Sequence, residues 1–301
     1  VEARSNNVLN TVSVAAGYAF NRDSKAKGPY LTAIFGMWYP QFFVGISRIL
    51  QEEENINGTN YKALNNRFTA GVSLPLLFTP GLFSQTLTPA VSYNNGVTIK
   101  RLPEGYEHIH FNYGNVQVLF VNSRKTAYRQ PVPTWGQHLA VSYSHELNGV
   151  RLSQFYADGD FAFPALRPSH NLVLQGEVLI QDISDEAIQL PDKFFGSRGF
   201  PSNDGQTQYH VGITYGFPVW YPDFGFGNIL YTRRVRLQGF FDVAYSNDHV
   251  LPDKSLKSVG AELIFDIHFP PVSFGIRFAH LLSGYTGSQN QFEFFIPLQR
   301  F

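Results

Sequence analysis

Apolar and polar residues alternate along most of this chain, and the alternation is sharpest in its second half. From Tyr209 to Val219 every second residue is apolar, whereas the residues between them are histidine, glycine, threonine or proline. The same period of two recurs within 234–246, 258–268 and 272–279. Successive side chains of a β-strand point to opposite faces of the sheet, so this period is typical of strands. Helical periodicity is nearly absent, and we predict an all-β chain.

Runs of β-formers are separated throughout by Gly, Pro, Asn and Asp, which end strands. The runs predict fourteen strands, an even number, as bacterial single-chain membrane barrels require. No low-complexity linker divides them, so we expect a single domain over residues 1–301. The predicted strands are 8–20, 29–39, 41–50, 61–76, 85–95, 107–121, 135–146, 150–163, 168–182, 207–219, 232–246, 256–269, 271–282 and 290–300.

Alternation alone fits a soluble sandwich with its apolar face inward or a membrane barrel with its apolar face toward lipid. The apolar face here is large and aromatic, and only 15% of the residues are charged, against about 25% in soluble proteins. Long polar connections also alternate with short ones. We interpret 183–206 and 282–290 as surface loops, and Asn148-Gly149 and Pro270-Pro271 as periplasmic turns. We therefore predict a transmembrane antiparallel β-barrel.

Composition excludes several other classes of protein. No window approaches eighteen uninterrupted apolar residues, so a membrane-spanning helix is excluded. Lys plus Arg and Asp plus Glu number 23 each, and without a basic cluster we expect no nucleic-acid partner. The sequence has no cysteine, and hence neither a disulfide nor a thiolate metal site.

One arginine lies between two glycines in a long polar connection, where a charged group needs a partner. Asp242 is a carboxylate in the middle of a predicted strand, on its polar face. We predict that the loop folds inward and that Arg198 forms a charge-assisted, bidentate pair with Asp242. Glu262 is the expected second acceptor. Arg234 and Arg236 share the face of Asp242, so we expect them to compete for it.

These residues resemble a known family. Ser197-Arg198-Gly199-Phe200 resembles the Arg-Gly-Phe/Tyr tip of the inward-folded loop in the BamA/TamA/FhaC superfamily of outer-membrane assembly and secretion barrels, the bacterial surface antigen family. Phe240–Ala244 is similar to its aromatic-x-Asp-x-Gly strand, which carries the partner of the loop arginine. Val259–Phe278 is similar to its penultimate hairpin, and Phe301 matches the usual C-terminal barrel signal. The resemblance covers roughly residues 190–301.

The sequence also departs from the family pattern. Ser197 stands where an aliphatic residue is usual, and Ala244 stands where glycine is usual. The family barrel has sixteen strands and follows periplasmic domains. We therefore interpret the chain as an atypical or truncated member, and expect it to be the C-terminal part of a longer protein. In the last strand, Phe301 is out of phase with the preceding aromatic residues, which predicts a break near Pro297.

The resemblance implies a barrel in the outer membrane of a Gram-negative bacterium that takes part in insertion of outer-membrane proteins or in polypeptide translocation, without a cofactor. Its implied partners are outer-membrane lipids, unfolded outer-membrane proteins or secreted polypeptides, and periplasmic accessory proteins. The implied loop–lumen lock consists of Arg198, Gly199, Phe200, Asp242 and Glu262. The alternative function is a barrel anchor or passive pore for a periplasmic or surface module.

Catalytic and metal sites find little support in the sequence. Ser144 and His145 are adjacent in a predicted strand and so point to opposite faces, and no Gly-x-Ser-x-Gly elbow is present. His108 and His110 share a face and could bind a metal, but imidazoles solvated in a lumen are the simpler interpretation. Asp158-Gly159-Asp160 lacks the spacing of an EF-hand loop. We expect neither an enzyme nor a bound metal.

Overall fold

The computed structural model is all-β, as predicted. It describes residues 2–7, 11–20, 27–54, 60–102, 105–125, 135–148, 152–167, 169–183, 194–200, 205–222, 224–226, 230–247, 254–269, 272–283 and 289–297. The strands in these ranges belong to one sheet. None of these residues forms a helix that is long and apolar enough to cross a membrane.

The sheet contains seventeen strand segments. Fourteen coincide with the predicted strands, and the other three (β1, β6 and β13) are short additions. In chain order the segments are β1 (Glu2–Asn6), β2 (Val12–Phe20), β3 (Lys27–Phe35), β4 (Gln41–Glu54), β5 (Asn60–Ser73), β6 (Leu76–Phe78), β7 (Phe83–Leu102), β8 (Gly105–Arg124), β9 (Gly136–Glu146), β10 (Leu152–Pro164), β11 (Asn171–Ile183), β12 (Thr207–Trp220), β13 (Phe224–Phe226), β14 (Leu230–Asn247), β15 (Lys254–Phe269), β16 (Val272–Ser283) and β17 (Asn290–Phe295).

Neighbouring strands pair antiparallel in the order of the chain, as a meander that runs from β1 to β17. β6 follows β5 along the same edge of β7, and β13 follows β12 along the same edge of β14. Each of these two short segments therefore extends the strand before it. β17 ends at Phe295, before the bulge or break that the sequence predicts near Pro297, and residues 298–301 lie outside the described residues.

The two faces of the sheet have the opposite polarity to those of a soluble protein. On β12 the side chain of Val211 is 66% exposed, whereas that of His210 beside it is 8% exposed. The same contrast holds along β14 and β15, where Asp242 and Ser258 are fully buried. Apolar side chains thus face outward and polar side chains face the interior, as in a barrel surrounded by lipid.

Antiparallel pairing assigns each connection to one of two ends of the sheet. We define the loop end as the one with the β11–β12 connection, and the turn end as the one with the β15–β16 connection. The β16–β17 connection lies at the loop end, together with the β11–β12 connection, as expected for the two connections interpreted as long surface loops. The prediction for Asn148-Gly149 was wrong: the β9–β10 connection is at the loop end, because an even number of hairpin reversals separates it from the β11–β12 connection.

All three tryptophans of the chain lie at the turn end. Trp38 is between β3 and β4, Trp135 directly precedes β9, and Trp220 ends β12. Each is exposed. Indole rings with an apolar body and one polar N–H collect at the boundary between hydrocarbon and headgroups, and these three form part of such an aromatic girdle.

Candidate functional site

Residues 194–200 of the β11–β12 connection lie against the polar inner face of the sheet. Two glycines shape this segment: Gly196 has φ = 64° and Gly199 has φ = 86°, a region that residues with a Cβ rarely adopt. The backbone N–H of Phe200 donates to the carbonyl of Ser197 at 3.2 Å. The resulting tight turn carries Arg198 at its tip.

The structure brings Arg198 and Asp242 together. The Nε of Arg198 donates to Oδ2 of Asp242 at 2.7 Å, and one terminal nitrogen donates to Oδ1 at 2.8 Å. The backbone N–H of Arg198 also donates to Oδ2, at 3.1 Å. Asp242 is 0% exposed, so one buried carboxylate accepts three hydrogen bonds from a single loop residue. Bidentate geometry of this kind fixes orientation as well as charge.

Other inward-facing side chains complete the surroundings of the guanidinium. Thr214 on β12 accepts a hydrogen bond from it at 2.8 Å, and Gln175 on β11 accepts a longer one at 3.4 Å. Glu262 on β15 lies 3.6 Å from the other terminal nitrogen of Arg198. Burial disfavours the charged guanidinium, but hydrogen bonding and attraction from Asp242, with a further contribution from Glu262, outweigh that cost and raise the pKa of Arg198 above its ordinary value.

Glu262 is shared with a second arginine. The Nε of Arg277 on β16 donates to Glu262 at 2.7 Å, and a terminal nitrogen of Arg277 donates to Glu293 on β17 at 3.0 Å. Acidic and basic groups therefore alternate from Asp242 through Arg198, Glu262 and Arg277 to Glu293. Arg277 is the nearer partner of Glu262, and Arg198 is the more distant one.

The expected competition of Arg234 and Arg236 for Asp242 is wrong. Both arginines pair with Asp266, Arg234 at a short hydrogen-bond distance and Arg236 at 3.3 Å. The register of β14 and β15 explains the difference, because Arg234 lies opposite Asp266 whereas Asp242 lies opposite Ser258. Neither arginine therefore competes with the loop for Asp242.

A second carboxylate holds the loop on the N-terminal side of Arg198. Glu177 on β11 accepts hydrogen bonds from the backbone N–H groups of Phe195 at 3.1 Å and Gly196 at 3.3 Å. The hydroxyl of Tyr156 on β10 donates to the same carboxylate at 2.9 Å. Phe194 packs beside it in a cluster with Tyr156 and Leu179. The loop is thus attached at two points, to β11 and to β14.

His210 on β12 lies between these two attachment points. Its Nδ1 is 3.8 Å from Glu177 and its Nε2 is 3.6 Å from Asp242. The imidazole is buried. Because β12 is also the neighbour of β14, His210 links the two anchors within one continuous patch of sheet.

Two small contacts explain how the turn fits its place. The hydroxyl of Ser197 lies 2.9 Å from that of Ser258 on β15, and both residues are buried. A serine therefore fits where the resembled family has an aliphatic residue, because a second serine satisfies its hydroxyl. A Cβ at Gly199 would lie 2.6 Å from the Cβ of Ala279 on β16, so only glycine allows this approach.

Among the remaining predicted residues, Phe200 is half-buried beside the turn, and Phe301 lies outside the described residues. Sequence reasoning missed Glu177, His210 and Thr214, although all three lie on the polar parity of their strands. His108 and His110 lie on the outward, exposed face of β8 and not in the lumen. The neighbouring residue Phe111 is buried and points inward, so the even-numbered residues beside it point outward. Within the described ranges, no group of three metal-binding side chains occurs.

Two solved structures share this architecture. BamA from Haemophilus ducreyi, solved without POTRA domains 1–3, superposes with a TM-score of 0.65 over 97% of this chain and 65% of its own, at 15% identity. The fold is that of the BamA barrel. CdiB from Acinetobacter baumannii gives a TM-score of 0.61 at 11% identity, over 97% of this chain and 55% of its own. The prediction of a BamA-like barrel fold is therefore confirmed.

Sequence comparison adds nothing further about this BamA-like chain. No family model matches it, and no curated protein matches it. The chain spans about two thirds of the BamA chain and just over half of the CdiB chain.

Proposed function

We propose that this chain is an outer-membrane barrel that takes part in insertion of outer-membrane proteins or in polypeptide translocation. The observation that carries the proposal is the loop of residues 194–200, which is held against the inner wall by Arg198 on Asp242 and by Glu177 on the backbone. Its partners would be unfolded outer-membrane proteins or secreted polypeptides, together with periplasmic accessory proteins. The proposal requires no cofactor and no catalytic group.

The loop argues against the alternative, a passive pore. A passive pore needs a lumen that stays open, whereas here a segment of the chain occupies the lumen and makes specific contacts with six strands. The charge-assisted pair at its tip contributes on the order of 1–3 kcal/mol. A contact of that size holds the loop without making its release prohibitively slow, as a passage that opens only for a substrate requires.

Depletion in the native bacterium tests the proposal. Cells that lose the protein should show lower levels of other outer-membrane proteins, or retain a secreted polypeptide in the periplasm, as measured by quantitative proteomics of separated membranes and medium. Re-expression of the natural sequence should restore the levels, and Arg198→Ala should restore them only in part. Arg167→Ala, in an exposed turn at the opposite end, is the matched control and should restore them fully.

Unchanged outer-membrane and secreted proteins after complete depletion would contradict the proposal. Conductance across planar bilayers distinguishes the proposed function from that of a passive pore. If the unmodified barrel conducts ions freely and continuously, and Arg198→Ala does not alter that conductance, the chain functions as a passive pore.

A further inference from the structure

A groove crosses the outward face of the strands β3, β4, β5 and β7. Its volume is about 480 Å³, within the range of about 300–1,000 Å³ typical of sites for small ligands. Leu31, Ile46 and Phe68 form its apolar wall, and they point away from the lumen, with Ile46 52% and Phe68 41% exposed. On a barrel of this polarity, such a groove faces lipid.

The side of the groove toward the loop end is polar. Arg48 and Asn66 lie opposite each other in the register of β4 and β5, and Asn95 on β7 donates to Asn112 on β8. A single residue of β4, Ser47, therefore separates an apolar contact, Ile46, from a cationic one, Arg48. The groove combines an apolar surface with a polar, positively charged rim.

The backbone of Arg48 lies close to β3. Lys27 and Tyr30 of β3 pair with β4, but the two residues between them, Gly28 and Pro29, are left out of the ladder. Proline has no N–H to donate to a ladder. A Cβ at Gly28 would lie 1.9 Å from the carbonyl oxygen of Arg48, so the glycine lets β4 approach closely at this residue.

Arg48 forms no ion pair with any carboxylate whose side chain the structure describes, and it is exposed on the outward face. A cation beside a lipid-facing apolar surface is costly unless an anion meets it. At the edge of the apolar belt, the available anions are the headgroups of lipids.

We propose that this groove binds a membrane lipid whose headgroup carries a phosphate. An acyl chain lies along Leu31, Ile46 and Phe68, and the phosphate accepts hydrogen bonds from the guanidinium of Arg48 and the side-chain amide of Asn66. The planar fork of arginine matches phosphate oxygens in a bidentate manner. The lipid belongs to the leaflet on the side of the loop end. This inference rests on the lipid-facing orientation of the strands and not on any assembly activity.

Native mass spectrometry of the full chain in detergent tests the proposal. Two lipids with the same dioleoyl chains, phosphatidylglycerol and diacylglycerol, differ in the phosphate headgroup. The unmodified protein should retain phosphatidylglycerol about tenfold more tightly than diacylglycerol, as expected for one charge-assisted contact. Arg48→Gln should abolish that preference, whereas Phe68→Ala should weaken retention of both lipids. Arg167→Gln, with the same loss of charge at the turn end, should keep the preference.

Three results would overturn the proposal. The unmodified protein could retain the two lipids equally, Arg48→Gln could keep the full preference, or Arg167→Gln could lose as much as Arg48→Gln. Inorganic phosphate serves as a further probe, because it lacks the acyl chain and should not displace phosphatidylglycerol. If inorganic phosphate displaces phosphatidylglycerol, the polar rim binds free anions and the proposed lipid site is wrong. None of these results bears on the depletion experiment, so the two proposals fail separately.

Discussion

The guanidinium carbon of Arg198 lies 4.0 Å from the centroid of the Phe240 ring. Phe240 is two residues before Asp242 on the same inward parity of β14, so one strand supplies both the anion and an aromatic face for the same cation. The ring is itself buried and keeps water from one side of the ion pair. A pair shielded in this way is screened less than one on the surface.

Loss of the arginine should release the tip of the loop without unfolding the barrel. Arg198→Ala removes four side-chain hydrogen bonds and should lower the free energy of loop opening by about 1–3 kcal/mol. Hydrogen exchange of residues 194–200 should accelerate, while exchange in β12 and β14 stays slow. Arg198→Lys keeps the charge but loses the bidentate fork, so its exchange should be intermediate. A slow-exchanging loop in Arg198→Ala would contradict this assignment.

The Glu177 anchor should act on a different part of the loop. Glu177→Ala removes the acceptor of the Phe195 and Gly196 amides and should speed exchange of those two amides more than that of Arg198. Glu177→Gln retains one acceptor oxygen and should recover part of the protection, since a neutral hydrogen bond is about half as strong as a charged one. Equal exchange in the two variants would contradict a hydrogen-bonding role.

Gly199 should be far less tolerant of substitution than a glycine with a similar backbone in open space. Gly199→Ala combines a positive φ with a Cβ contact of 2.6 Å to Ala279, so the turn has to leave its place. Gly81 has φ = 62° and no atom within 4 Å of an added Cβ, and Gly81→Ala should cost only about 1–2 kcal/mol. Protease cleavage within the loop should rise in Gly199→Ala and stay low in Gly81→Ala.

The two facing serines should show strong coupling in a double-mutant cycle. Ser197→Ala or Ser258→Ala alone leaves a buried hydroxyl without its partner and should cost about 1–3 kcal/mol of loop stability. Replacing both removes the need for a partner, and the double variant should be less destabilised than the sum of the single variants. Additive effects in loop-opening measurements would show that the two hydroxyls do not depend on each other.

Arginine on the outward face should be costly in proportion to its depth in the membrane. Ile213 is in the middle of β12, and Ile213→Arg should destabilise the barrel by about 2–4 kcal/mol in a bilayer. Val219 is next to the last residue of the same strand, so Val219→Arg should cost only about 0–1 kcal/mol. Urea titrations of refolding into lipid vesicles measure both values. If Ile213→Arg and Val219→Arg both destabilise the barrel equally little, the outward face of β12 is exposed to water and not to lipid.

The strands were predictable because burial on one face imposes a period of two on the sequence. That period determines the parity of Asp242 and Glu262, and the glycines around Arg198 indicate a segment that is able to bend inward. β1 escaped prediction, since five residues are too few to display a period. The true partner of Arg234 escaped as well, because parity assigns a residue to a face but not to a register.

The second anchor of the loop was missed for a related reason. Glu177 binds backbone N–H groups, which are present at every non-proline residue and leave no signature in the sequence. The resemblance of the segment around Arg198 to a known family concerns the side chain of Arg198 and not the backbone N–H groups beside it. The outward position of His108 was misjudged because that part of β8 has aromatic residues on its inner face, which reverses the usual relation between polarity and parity.

Six strands, β10, β11, β12, β14, β15 and β16, contact the loop, and most of these contacts can form only late in folding. Glu177 precedes the loop, but Thr214, Asp242, Glu262 and Ala279 all follow it in the chain. The site for Arg198 therefore does not exist until most of the C-terminal half has been synthesised and paired. Contacts so distant in sequence form late, because chain closure has to precede them. Docking of the loop would then report that this half of the sheet has reached its correct register.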